Sequence, residues 1–188
     1  MPSINRHRLA GARRCASPHH DARPDAADIS LLVIHAISLP PGKFGGARNR
    51  DFIDALFCNR LERTAHPYFA QLAGLRVSPH LAIFRDGTVT QYVAFNRRAW
   101  HAGESSFDGR AGCNDFSIGI ELEGDDVHPF ADAQYTSLAR VSAAILNAYR
   151  NIQPARIVGH ADIAPHRKTD PGPYFDWPRF LGELEFPR

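Results

Sequence analysis

The sequence predicts an α/β (α+β) fold, a single domain with a central mixed β-sheet flanked by helices. Three observations carry that expectation. Short apolar runs of strand length recur along the chain, as in Leu31-Leu32-Val33-Ile34 and Ile118-Gly119-Ile120. Two β-rich runs are joined by Asp86-Gly87, a hairpin signal. One long helical pattern, 132–149, separates the later strands.

In chain order, residues 1–28 are rich in Arg, Pro, Ala and His without periodicity. They read as an irregular N-terminal arm ahead of a domain over 29–188. Residues 29–35 form a nearly continuous apolar run ending in His35, expected as a buried central strand. A Gly/Pro-rich loop follows over 40–46. Phe52, Ile53, Leu56 and Phe57 then recur at helical spacing, and 67–72 reads as a second short helix. The hairpin spans 78–85 and 88–93. Residues 117–122 alternate as a strand. In the long helix, Leu138, Val141, Ile145 and Ala148 share a face, with Asp132 as the expected cap. Residues 156–159 form a strand that runs into the loop 159–172. A closing helix over 176–184 puts Trp177, Phe180 and Leu184 on one side.

Composition narrows the function. The chain has 188 residues, 44% hydrophobic and 22% charged, which suits one soluble globular domain. A net charge of +2 with no basic block argues against nucleic acid. The apolar run at 29–37 is too short to span a membrane and too late for a signal peptide. Three widely spaced cysteines (Cys15, Cys58, Cys113) without a CxxC argue against a disulfide framework and fit the cytoplasm. A monomer is the default.

Four ionisable residues stand where the apolar pattern would not choose them. His35 and His160 end strands, Glu121 interrupts one, and Asp170 lies in the loop after His160. Burying such groups unpaired is costly. One Zn²⁺ held by His35, His160 and Asp170 would partner three of them and leave an open position for Glu121. Such a metal acidifies its water, a neighbouring carboxylate moves the proton, and the Lys168 cation stabilises an oxyanion. The set suits amide hydrolysis. Each member also has a plain structural alternative: a hydrogen-bonded strand-end His, a turn-capping Asp, a Glu paired with Arg, a solvated Lys. Within the loop, His160, His166 and Asp162 form an alternative ligand set; Asp170 is preferred for its stiff Asp-Pro-Gly setting. A glycosidase using Glu121 and Glu123 is a competing class. A serine hydrolase lacks GxSxG.

Longer motifs then converge. Val33-Ile34-His35, Leu39-Pro40-Pro41-Gly42, Phe44-Gly45-Gly46, His66-Pro67-Tyr68-Phe69, Leu75-Arg76-Val77-Ser78, Arg97-Arg98-Ala99-Trp100-His101-Ala102-Gly103, the run from Cys113 to Gly124, and Arg167-Lys168-Thr169-Asp170-Pro171-Gly172-Pro173 occur in this order. Over roughly residues 15–182 the chain resembles the bacterial anhydromuramyl-peptide amidases. These belong to the wider zinc amidase and peptidoglycan recognition protein family. The resemblance implies a central mixed sheet with one zinc on His35, His160 and Asp170. It implies Glu121 as acid/base, Lys168 as transition-state stabiliser, and a cell-wall-recycling substrate cut between anhydro-muramic acid and L-Ala. It also points to Arg76, Trp100, His101 and Tyr68 as substrate contacts. Two departures stand out: Ala36 where the family usually has Asn, and Gly112 where Arg is common. A binding-only module of the same fold is the alternative, and such relatives typically lack a zinc ligand.

Overall fold

The computed structural model describes residues 2–184. Its N-terminal segment carries short strands β1 (Ile4–Asn5), β2 (Arg8–Leu9), β3 (Arg13–Arg14) and β4 (His20–Ala22). Then follow β5 (Leu31–Ile37), α1 (Ala47–Phe57), a 3-10 turn over Pro67–Leu72, and the hairpin β6 (Leu81–Ile83) and β7 (Val89–Gln91). Next come β8 (Arg97–Ala99), β9 (Ser106–Phe107), β10 (Arg110–Ala111) and β11 (Ser117–Glu123). The chain continues through α2 (Asp132–Ala148), β12 (Ile157–Gly159), the one-turn α3 (His160–Ile163) and α4 (Trp177–Glu183).

The main sheet runs β12-β5-β11-β6-β7-β3. The first four strands are parallel, β7 is antiparallel to β6, and β3 adds in parallel to β7. It is therefore the mixed sheet that the sequence predicts. Alternation sorts its side chains. Leu32, Ile34, Ile118, Ile120 and Leu122 point to one side, where Leu138, Val141 and Ile145 of α2 and Phe180 of α4 cover them. The apolar stripe of α2 is what fixes that helix, since most helical stability in proteins comes from packing such a face. The hairpin strands also contribute Ala82 to a second cluster, closed by Ile53, Leu56 and Phe57 of α1. Leu31 and Val33 face the other side of β5, with Ala102, Phe116 and Ile163.

Several expectations change. The arm over 1–28 is not irregular: it supplies β3 to the main sheet and pairs β4 with β8. Strands that short leave no periodicity to read. Asp132 does not cap α2; the cap position is Ala131, whose N–H donates to the Gln134 side chain, and Asp132 pairs with Arg179. Cys15 and Cys58, read as separate thiols, are paired and join the arm to the end of α1. Neither an odd cysteine count nor wide spacing reports distance in the fold. Cys113 is free and buried.

The arm is also anchored by Arg23, a buried guanidinium. It donates to the carbonyls of Phe95, Asn114, Asp115 and Ser117 and lies 3.1 Å from His80 Nε2. Burial pulls Arg23 down to about 10, so it is still a cation at neutral pH. His80 is wholly buried. Its Nδ1 accepts the Gly119 N–H (3.0 Å) and its Nε2 faces the Arg97 carbonyl (3.0 Å), which assigns the neutral Nε2–H tautomer. Protonating Nδ1 would set two donors against each other beside the Arg23 charge. Burial first, and Arg23 second, hold His80 well below its ordinary 6.5. The unfolded chain takes up this proton near the ordinary value and the fold resists it. Stability is therefore complete above about pH 6.5 and declines as pH falls below it. We expect the urea midpoint of the metal-free protein to drop between pH 7 and pH 5, with His80 neutral by imidazole NMR throughout. A flat midpoint, or His80 titrating near 6.5, would contradict this.

Candidate active site

Sheet register assembles the site. On adjacent parallel strands, His35 of β5 and Glu121 of β11 are register partners, so their side chains stand abreast on one face. β12 flanks β5 on the other side, with Gly159 opposite Ile34. His160 follows immediately. Gly159 is small because a Cβ there would come within 2.8 Å of Pro171. That close approach, together with the Ala161 N–H donating to the Asp170 carbonyl (2.9 Å), folds the loop back so that Asp170 returns to His160. All four groups thus gather where the parallel strands end, the usual place for a site in an open α/β sheet.

His35, His160 and Asp170 converge. His35 Nδ1 and His160 Nδ1 are 2.9 Å apart, and Asp170 Oδ2 lies 3.3 and 3.1 Å from them. Both histidines are buried, and Asp170 is 17% exposed. His160 Nε2 meets the Ala102 carbonyl at 3.1 Å, and a carbonyl only accepts. The neutral ring therefore carries its proton on Nε2 and aims the Nδ1 lone pair at the other two ligand atoms. Ligands around a tetrahedral zinc at about 2.0–2.1 Å sit roughly 3.3 Å apart, so these three atoms fit a metal with little adjustment. Burial lowers His35 to about 4 against a partial lift from Asp170, leaving it neutral and available as a ligand. Burial alone would raise Asp170; hydrogen bonding to His160 and His35 outweighs it and keeps the carboxyl far below the ordinary range. The donor set is metal-competent.

A cleft of about 490 Å³ opens beside the triad, lined by Glu121, Lys168 and Arg167 among others. Glu121 is half-buried, but its Oε2 is out of solvent and has no hydrogen-bond partner. Burial, then the Asp170 charge, push it well above the usual carboxylate range, and Lys168 opposes them. A raised, unpartnered carboxyl in a cleft is the pattern of an acid/base waiting for a proton partner. Tyr68, Arg76, Trp100 and His101 all line the same cleft. Trp100 Nε1, a donor, is another buried polar atom there without a partner.

The competing assignments fall differently. Asp162 Oδ2 accepts the Gly159 N–H at 2.7 Å, a cap on the one-turn helix, and His166 is exposed away from the triad. Glu123 is two residues from Glu121 and so shares its face of β11. What separates them is partners. Glu123 is buried and accepts from the Gly45 and Arg85 N–H groups (2.8 and 3.0 Å), one on each carboxylate oxygen, a structural role that leaves it no free oxygen for catalysis. Asn114 lies inside the Cys113–Gly124 motif, where its residue type alone carries no signal of a role. Its Oδ1 accepts both the His101 and Ala102 N–H groups (3.0 and 2.8 Å). Only the folded loop reveals that.

A mixed sheet with a two-His, one-Asp centre and a free carboxylate in the adjoining cleft defines a metal-competent hydrolase. Residues 25–173 match the N-acetylmuramoyl-L-alanine amidase family (Amidase_2), and the chain belongs to that family as an amidase. The chain is similar to the 1,6-anhydro-N-acetylmuramyl-L-alanine amidase AmpD of Escherichia coli (strain K12), 58% identical over 172 residues, which cover 92% of this chain and 91% of that protein. The crystal structure of a selenomethionine AmpD derivative superposes with a TM-score of 0.92 at 55% identity, covering 97% and 99% of the two chains. The amidase AmiD from E. coli, solved with anhydro-N-acetylmuramic acid-L-Ala-D-γ-Glu-L-Lys, gives a TM-score of 0.62 at 28% identity, covering 97% of this chain and 65% of that one.

Proposed function

We propose that this protein is a zinc-dependent 1,6-anhydro-N-acetylmuramyl-L-alanine amidase. It cleaves the amide between the lactyl group of anhydro-muramic acid and the L-Ala of the stem peptide. The observation that carries this reading is the convergence of three ligand atoms within 3.3 Å beside the unpartnered Glu121 carboxyl. The names of the similar AmpD proteins support the substrate class. So does the anhydromuramyl peptide bound by AmiD.

His35, His160 and Asp170 would hold one zinc, which when bound would supply an acidified water and polarise the amide carbonyl. Glu121 takes up the proton at its carboxylate and delivers it to the leaving nitrogen of L-Ala. The push that raises its affinity for a proton suits it to that transfer near neutral pH. The Lys168 ammonium faces the developing oxyanion, where a fixed charge acts most strongly once substrate has displaced water. Tyr68, Arg76 and Trp100 line the cleft; in this reading they contact the peptide, and the Arg76 guanidinium suits a stem-peptide carboxylate. This reading places the enzyme in the cytoplasm, as a monomer, on soluble recycling intermediates.

Removing zinc by dialysis against a chelator is expected to abolish release of peptide from anhydromuramyl-tripeptide, and stoichiometric zinc to restore it. Full turnover by metal-free protein would overturn the mechanism. Preference for intact sacculus over the soluble fragment would overturn the recycling role.

A further inference from the structure

The segment 100–103 stands behind the metal ligands as well as beside the cleft. His101 is 8% exposed. Its Nδ1 lies 2.9 Å from His35 Nε2, and its Nε2 lies 3.1 Å from Ser117 Oγ. The two rings meet edge to face at 5.0 Å. The next residue, Ala102, receives His160 Nε2 on its carbonyl. Two consecutive residues therefore contact the outer nitrogen of each histidine in the triad. Asn114 Oδ1 holds both of their N–H groups, so one side chain fixes the pair.

The sheet is shaped to receive His101. Ser117, Gly119 and Glu121 alternate onto one face of β11. Any Cβ at Gly119 would fall 2.4 Å from His101 Nδ1, so the ring occupies the space that a side chain would need. The ring thus fills the gap in the row between Ser117 and Glu121, next to His35.

We propose that His101 is a positioning residue for the metal centre, and that the Asn114-clamped His101-Ala102 pair sets the orientation of both histidine ligands. The proposal rests on the zinc-amidase reading. Proton accounting makes it specific. When His35 ligates through Nδ1, its proton sits on Nε2 and donates to His101 Nδ1. His101 must then carry its own proton on Nε2 and donate to Ser117 Oγ. Every donor has an acceptor in this order, and His35 cannot rotate without breaking it. Outer-shell partners of metal-bound histidines fix ring orientation in this way, and losing one typically weakens metal binding about 10–100-fold.

The test measures zinc affinity by chelator competition, with kcat and KM alongside. His101→Leu and Asn114→Ala are expected to weaken zinc binding by about 10–100-fold. His101→Gln keeps an acceptor for His35 and should recover part of the loss. Arg76→Ala, in the cleft but without contact to the triad, should keep wild-type zinc affinity and raise KM. Nitrogen-15 imidazole spectra of the zinc-loaded wild type need no variant to fold: they should show His101 protonated on Nε2 only, with a nitrogen–nitrogen coupling to His35. Wild-type zinc affinity in His101→Leu with only a raised KM would make His101 a substrate contact and overturn the proposal, as would the opposite tautomer. A wild type that binds no zinc would remove the zinc-dependent mechanism as well.

Discussion

Glu121→Gln is expected to lower kcat by roughly 10²–10⁴-fold while zinc content stays at one per chain. The substitution keeps size and shape and removes only the ability to hold a mobile proton. No protein group relies on Glu121 Oε2, which is buried without a partner, so the loss should appear in turnover and not in folding. The stability effect should even be favourable. Burial and the Asp170 charge both work against the ionised carboxyl, and only Lys168 favours it. A neutral amide avoids that conflict, so the melting temperature of Glu121→Gln should equal or exceed wild type. Such opposition between stability and activity is a signature of a functional group. Near-wild-type kcat in this variant would remove Glu121 from the chemistry.

Asp170→Ala is expected to lose zinc outright and activity with it. Asp170 is the anionic member of the triad, and its removal leaves two neutral imidazole nitrogens 2.9 Å apart with nothing to balance a divalent charge. The fall in zinc affinity should exceed the roughly 10–100-fold attached to an outer-shell contact. His166→Ala and Asp162→Ala are the informative controls, since both residues were candidate ligands by sequence. His166→Ala should retain zinc. Asp162→Ala should also retain it, losing only the cap on the Gly159 N–H, a contribution of about 1 kcal/mol. If Asp162→Ala emptied the site and Asp170→Ala did not, the ligand assignment would be reversed. Elemental analysis of the purified variants decides between the two.

The triad and Glu121 are legible in the sequence because they violate a pattern. A histidine ending Leu31-Leu32-Val33-Ile34, or a glutamate inside Ile118-Gly119-Ile120, is conspicuous against apolar alternation, and burial makes such residues expensive unless they are used. The main strands, α2 and α4 are legible for the same reason, since their periodicity is long enough to count. What the sequence hides are relations set by register and loop path. Nothing in Trp100-His101-Ala102 tells whether the imidazole faces the cleft or His35; that depends on Gly119 making room one strand away. The Cys15–Cys58 pairing and the strands of the first 28 residues are hidden likewise, being created by contacts across the fold.

Arg23 carries a lesson about boundaries. The family match starts at residue 25, yet this guanidinium, two positions upstream, is spent on carbonyls from two separate stretches of the domain, Phe95 and 114–117. β3, further upstream still, completes the edge of the main sheet. A line drawn where the family match begins therefore cuts through the interior of the molecule. The family match marks the part of the pattern common to the whole family, whereas the unit that folds is delimited by where its buried polar groups find their last partners; the similar AmpD of Haemophilus influenzae accordingly aligns over 98% of this chain. By that criterion the catalytic body starts well inside what reads as a tail.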